Sequence, residues 1–443
     1  MSSFLKFLYP GMHIKRWLGL LLVGITLISL GIAYLLVQMY RVQSFPWYVG
    51  YLTLQFIDRP VRGGMFVALG AIVSGLAVIQ LNRSLLAPFL TSGRDNIFDI
   101  IHQHRTRQRG AKIVAIGGGT GLSTLLRGLK EYSDNLTAIV TVADDGGSSG
   151  RLRQELGILP PGDFRQCLVA LADVEPLMTR LFQYRFTEGE DLEGHSFGNL
   201  FIAAMTAITG NFERAIRESS RVLAVRGQIV PSTLENVKLC AEFEDDAIAQ
   251  GESSIPKAQK RIRRVFLQPA HPSAYPEAIR AILDADLIVI GPGSLFTSVL
   301  PNLLVEDISR SIRGSRAAVK VYVCNVATEA GETDGFYVAD HIRAFDEHVG
   351  TNLFQYVLVN SNLNVNLPES SSARLVMLAN QVAETGHTVV MADVIDPVEP
   401  RRHNPKKLAL SLLKLYYDHD HLSHSNGHSH ERDAEAILAH VDG

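Results

Sequence analysis

The run Asp144-Asp145-Gly146-Gly147-Ser148-Ser149 gathers two carboxylates, two glycines and two hydroxyls in six positions. Asp144 and Asp145 offer hard oxygens to Mg²⁺, or acceptors to ribose hydroxyls or a substrate amine. An Asx turn before a capped helix is the plainer alternative. Upstream, Gly117-Gly118-Gly119-Thr120-Gly121 lets backbone approach a ligand closely, and a following helix would aim free N–H groups and a positive dipole end at an anion. A third turn, Gly291-Pro292-Gly293-Ser294, is followed by Thr297 and Ser298, whose hydroxyls can donate beside a helix start. Asn325 and Thr328 lie in a fourth polar turn. His195 and Asn199, four apart, would share one helix face. Pro160-Pro161-Gly162-Asp163 opens another helix, with Asp163 as its cap. Arg165 in its first turn opposes the helix dipole, which points to an anion or a carboxylate nearby, with a plain solvated arginine as the equal alternative. In an enzyme, Asp144, Asp145 and His195 would be the catalytic candidates.

Apolar runs lead into these turns. Lys112–Ile116, Leu136–Val142, Asp286–Ile290 and Val319–Val323 read as strands, as do Gln355–Val359 and His387–Met391. The pattern predicts a Rossmann-like α/β fold, doubly wound on a mostly parallel sheet, whose carboxyl edge collects the polar loops. Arg221–Val225 also reads as a strand. The alternation Val237, Leu239, Ala241, Phe243 suggests a small antiparallel insertion. Leu200–Ile208 is apolar almost all round and should be buried. Gly117 and Gly119 satisfy G-x-G, but Leu122 occupies the third glycine position and no Gly-Lys-Ser/Thr follows. Neither the dinucleotide fingerprint nor a P-loop is complete.

Of 443 residues, Lys and Arg number 42 and Asp and Glu 45, a net charge of −3 that argues against a nucleic-acid partner. Cys167, Cys240 and Cys324 are far apart, which excludes a disulfide framework and a structural zinc site. Residues 18–40 and 63–81 are uncharged runs of membrane-spanning length, with Trp47, Tyr48 and Tyr51 between them. The expected organisation is a two-helix membrane anchor over 1–82, a polar linker over 83–110, and an α/β domain over 111–412. A His-rich, disordered tail over 413–443 would follow. Both termini and the domain would face the cytoplasm, giving a multi-pass protein of a bacterial cytoplasmic membrane.

From residue 112 to about 412 the chain resembles the gluconeogenesis factor family, homologous to the 2-phospho-L-lactate transferases. The resemblance is carried by IGGGTG, TVADDGGSSGRLR, PPGDFRQCL, HSFGNL, GPGSLFTSVLPNLLV and NVATEAGETDG. Asp144-Asp145 and GPGS are shared with the transferase branch. Gly146–Ser149 and Ala339–Ile342 (ADHI) look like the gluconeogenesis factor branch. The resemblance implies a binder of a nucleotide sugar, UDP-N-acetylglucosamine above all. It also implies regulation of cell shape and envelope precursor synthesis on gluconeogenic carbon, through a partner enzyme, by a homodimer. The alternative is a Mg-dependent transferase with a nucleotide-diphosphate donor. A nicotinamide dinucleotide, NAD(P), ranks third as ligand.

Overall fold

The computed structural model describes residues 14–42, 48, 51, 54, 56–86, 107, 110–173, 176–189, 191–365, 367, 372–378 and 386–423. It divides into two units, Met1–His104 and Arg105–Gly443. The first unit contains helices Ile14–Val42 and Arg59–Leu86. Among the described residues no helix is long and apolar enough to cross a membrane. This corrects the expected anchor at 18–40 and 63–81, the two transmembrane helices and the multi-pass location. Absence of charge prompted that expectation, whereas crossing demands a sustained apolar length. Lys15, Arg16, Arg59, Arg62 and Arg83 lie within the ends of these helices. Trp47 lies outside the described residues.

The second unit is built on a seven-stranded sheet in which every pairing is parallel. Its strands are β1 (Ile113–Gly117), β2 (Leu136–Val140), β3 (Gln228–Pro231), β7 (Leu287–Ile290), β8 (Val319–Val323), β9 (Tyr356–Asn360) and β10 (Thr388–Ala392). Their order is β10-β9-β8-β7-β1-β2-β3. The central strands are buried on both faces, which explains why β1, β7 and β8 read as nearly continuous apolar runs. Between β3 and β7, the strands β4 (Lys238–Phe243), β5 (Ile248–Gln250) and β6 (Ile262–Gln268) form the expected antiparallel sheet, ordered β5-β4-β6.

Helix Gly119–Leu129 buries Leu122, Leu125, Leu126 and Leu129, an i, i+3, i+4, i+7 stripe. It packs against helix Gly162–Leu171 and the C-terminal helix Pro405–Ser423. A Cβ on Gly128 would lie 2.0 Å from the Pro405 carbonyl oxygen, so glycine permits that approach.

Three local expectations are corrected. Residues 212–222 form a helix, and Val225 makes only an isolated bridge to Ala172, so no strand runs over 221–225. Helix Phe197–Thr209 is buried on one side only, and Ile208 is 79% exposed. Residues 413–423 continue the last helix, with Leu413, Leu415 and Tyr417 buried, so apolar packing extends into the expected tail. His424, His428 and His430 lie outside the described residues. The second unit also begins before residue 111, because Arg107 accepts the Asp134 N–H with its carbonyl and pairs with Glu131.

Candidate functional site

β1 and β7 are neighbours, yet the chain proceeds from β1 towards β2 and from β7 towards β8, on opposite sides. Their outgoing loops diverge there and open a crevice, the place where doubly wound sheets bind ligands. A cleft of about 540 Å³ occupies it. Gly118, Gly119, Thr120 and Gly121 line it from the first loop. Pro292, Gly293, Ser294 and Ser298 line it from the second, and Asn325 and Thr328 from the loop after β8.

These loops hold one another in place. A Cβ on Gly121 would lie 2.4 Å from the Pro292 carbonyl oxygen, so only glycine allows the contact. Asn325 donates Nδ2–H to the Gly293 oxygen at 3.0 Å and accepts the Gly293 N–H at 3.3 Å. Gly117 and Gly291 shape the turns from beneath. The Gly117 oxygen accepts the Thr141 N–H, and the Gly291 N–H donates to the Ile116 oxygen.

A second polar cluster is built from helix Gly147–Leu156, helix Gly162–Leu171 and the start of helix Phe197–Thr209. Arg165 Nε donates to Asn199 Oδ1 at 2.9 Å, and Asn199 Nδ2 donates to Ser148 Oγ at 3.1 Å. Ser148 Oγ lies 3.0 Å from His195 Nδ1. Ser149 hydrogen-bonds Asp144, whose Oδ1 also accepts the Gly146 N–H at 2.8 Å. Gly147 opens its helix with φ +47. His195 therefore joins a serine–asparagine network, with burial lowering its pKa below the usual histidine range.

Asp163 links the two clusters. It accepts the Gly119 N–H, and a Cβ on Gly118 would lie 2.5 Å from its Oδ2. The expected cap role is corrected: Pro161 is the N-cap and makes no side-chain cap bond. Burial, then the charge of Asp144, pushes Asp163 up to about 7. Burial likewise raises Asp144. Glu252, at the start of a short turn in the antiparallel insertion, is pushed up to about 8 by burial and then by Asp144, Asp163, Asp145 and Glu332. Asp145 Oδ1 accepts the Ser253 N–H at 2.8 Å, tying the insertion to this edge.

Thr297 faces away from the expected ligand. Its hydroxyl donates to Glu332 Oε1 at 3.0 Å, and it does not line the cleft. The π-helical turn Leu295–Val299 replaces the regular helix start anticipated there. Residues outside the sequence-based set also line the cleft, among them Gln166, Glu329, Arg401, Arg402 and His403. Only Gln166 and Glu329 had a sequence cue, each lying beside a motif already singled out.

Among the described residues, no three His, Cys, Asp or Glu side chains meet as a metal-ligand set. Mg²⁺ ordinarily takes one or two carboxylates and completes its shell with water and ligand phosphate. The hard oxygens of Asp144 and Asp145 suit that smaller demand.

The family model of 2-phospho-L-lactate transferase CofD matches residues 113–395. The gluconeogenesis factor of Bacillus subtilis is 49% identical over 315 residues, covering 68% of this chain and 98% of its own. A Nostoc sp. relative, provisionally named a gluconeogenesis factor, is 48% identical over 433 residues, covering 94% of this chain and 93% of its own. A crystal structure of a Bacillus halodurans protein superposes with a TM-score of 0.65 at 48% identity, covering 68% of this chain and 99% of that one. The matched segment spans the seven-stranded sheet and both polar clusters, and the chain belongs to the gluconeogenesis factor family, within the wider 2-phospho-L-lactate transferase CofD family.

Proposed function

We propose that the protein binds a nucleotide sugar of the UDP-N-acetylglucosamine type in the cleft. Through a partner enzyme, the bound form regulates envelope precursor synthesis and cell shape during gluconeogenic growth. The observation that carries this reading is the glycine-lined crevice between the β1 and β7 loops. Its backbone can approach a diphosphate without side-chain obstruction, and Ser294, Ser298 and Asn325 supply polar contacts. A volume of about 540 Å³ suits a ligand of this size. Calorimetric titration of the full chain with UDP-N-acetylglucosamine, with product analysis, tests it. Saturable binding without turnover supports a regulator, and no binding discards the ligand. A homodimer is part of this reading, and light scattering measures it.

A Mg-dependent transferase is the second reading, favoured by the carboxylates of Asp144, Asp145, Asp163 and Glu252 beside the cleft. Mg²⁺ held by Asp144 and Asp145 would offset negative charge on the donor's diphosphate. The glycine loops would fix the donor, and His195 would hold or move a proton at Nδ1 through Ser148. Metal-dependent turnover abolished by Asp144→Asn would establish this reading. Absence of turnover across nucleotide donors would sink it.

A further inference from the structure

Among the described residues, Arg151, Arg165 and Arg185 form no ion pair. Arg151 Nη2 donates to the Glu193 carbonyl at 2.7 Å, and Arg185 Nη1 donates to the Gly194 carbonyl next to it. Arg165 Nε donates to the Asn199 amide oxygen at 2.9 Å. Each guanidinium thus spends one nitrogen on a neutral acceptor and keeps its other donors. They come from three segments: helix Gly147–Leu156, helix Gly162–Leu171 and the hairpin that joins Gln183 to Phe197. In that hairpin Arg185 bridges Ser196, the Phe186 N–H donates to the His195 carbonyl, and the Gly194 N–H donates to the Phe186 carbonyl. Gly194, at φ +77, turns the chain so that its carbonyl and that of Glu193 meet the two guanidiniums. A Cβ on Gly198 would lie 2.6 Å from Arg165 Cδ, so glycine there makes room for the arginine stem.

The arginines of the antiparallel insertion are arranged differently: Arg263 pairs with Glu242 and Asp246, and Arg264 with Glu242. In the cluster positive charge prevails. Burial, then the charge of Arg185, lowers the Arg165 pKa, against the smaller pull of Asp163 and Asp144. His195 is 4% exposed, and burial, then the charge of Arg151, lowers its pKa, with Glu155 opposing and Arg185 adding to the effect. Like charges gathered without paired counter-charges repel one another, and a bound anion relieves that repulsion. Guanidinium forks hold phosphate oxygens through parallel hydrogen bonds. Donors arriving from three segments suit a tetrahedral group with three terminal oxygens better than a planar carboxylate with two. None of the three arginines lines the glycine cleft, whereas Gln166, next to Arg165, does. The cluster therefore adjoins the cleft without sharing its lining.

We propose that Arg151, Arg165 and Arg185 form a second anion site beside the cleft, which takes the phosphate group of a small phosphomonoester distinct from the ligand of the cleft. Asn199 steadies Arg165 and is itself anchored, its Nδ2 donating to Ser148 Oγ at 3.1 Å. Arg185 is exposed and the other two are half-buried, so a phosphate reaches the site from solvent without passing through the cleft. The site stands whether or not the cleft takes a nucleotide sugar.

Two measurements on the full chain at low salt test this. Phenylglyoxal labelling read by mass spectrometry reports each arginine separately. Inorganic phosphate should slow the labelling of Arg151 and Arg185 several-fold and leave Arg221, whose side chain is 71% exposed, unchanged. Acetate at equal ionic strength should protect neither. Failure of phosphate to protect, or equal protection by acetate, overturns the proposal. UDP-N-acetylglucosamine should leave both arginines reactive. Protection by it at the same arginines would put its diphosphate there and overturn a separate ligand. Its failure to bind discards the reading of the cleft alone, and the phosphate result still decides this one. Calorimetric titration with inorganic phosphate should saturate, with a dissociation constant that rises about tenfold in Arg151→Gln and in Arg185→Gln. Unchanged phosphate affinity in both variants sinks the proposal. The labelling uses the wild type, so it stands even where a substitution unsettles the hairpin.

Discussion

Asn302 donates its side-chain amide to the Gly117 oxygen at 3.0 Å and to the Ser298 oxygen at 2.9 Å. One buried amide thus joins the end of β1 to the turn after β7, the two structures that flank the cleft. Removing it leaves two carbonyls without this donor in a dry environment. Asn302→Ala should cost about 1–3 kcal/mol in urea unfolding. It should also weaken nucleotide binding by loosening the loops. Unchanged stability and affinity would show that the loops are aligned by other contacts.

Gly121 and Gly314 make a paired test of steric demand. A Cβ at Gly121 meets the Pro292 oxygen at 2.4 Å, whereas one at Gly314 meets nothing within 4 Å. Gly121→Ala should destabilise by about 1–3 kcal/mol through overpacking against backbone. Gly314→Ala, in a helix, should be neutral or stabilising by up to about 1 kcal/mol. Thermal melts of the two variants should therefore move apart, and equal melting temperatures would refute the argument.

His403 should make stability fall on acidification. It is buried, its Nε2 lies 3.2 Å from the Cys324 oxygen, and desolvation pushes it down to about 4. The unfolded chain binds that proton at about 6.5, so its contribution is complete above about 6.5 and is lost as pH falls towards 4. The difference amounts to about 3 kcal/mol. His403→Gln should lack this slope when unfolding is compared with the wild type over the same range.

Glu252 acts in the opposite sense. Its folded pKa of about 8 lies above the ordinary value of 4.5, so stability present below 4.5 is lost as pH rises towards 8. Glu252→Gln should gain on the wild type across that window and level off above it. Chemical denaturation at three pH values would measure the crossover. A constant difference between the proteins would show that Glu252 ionises freely.

The sequence by itself determined the parallel strands other than β3, the glycine turns at their ends and the family. Burial on both faces makes a parallel strand a continuous apolar run, and a tight turn demands glycine, so short windows of residues carry these signals. Gly117–Gly121 and Gly291–Ser294 were legible for that reason. Other features lay beyond such windows. Uncharged runs at 18–40 and 63–81 gave helices without the sustained apolar length of a membrane span among the described residues. Only the tertiary structure decided that β1 and β7 are neighbours, that Asp163 holds Gly119 instead of capping its own helix, and that Thr297 turns to Glu332. It alone brought Glu252 and Arg402 to this edge from distant parts of the chain. The physical reason is that periodicity and turn chemistry are local, whereas proximity and desolvation arise only when remote segments pack together.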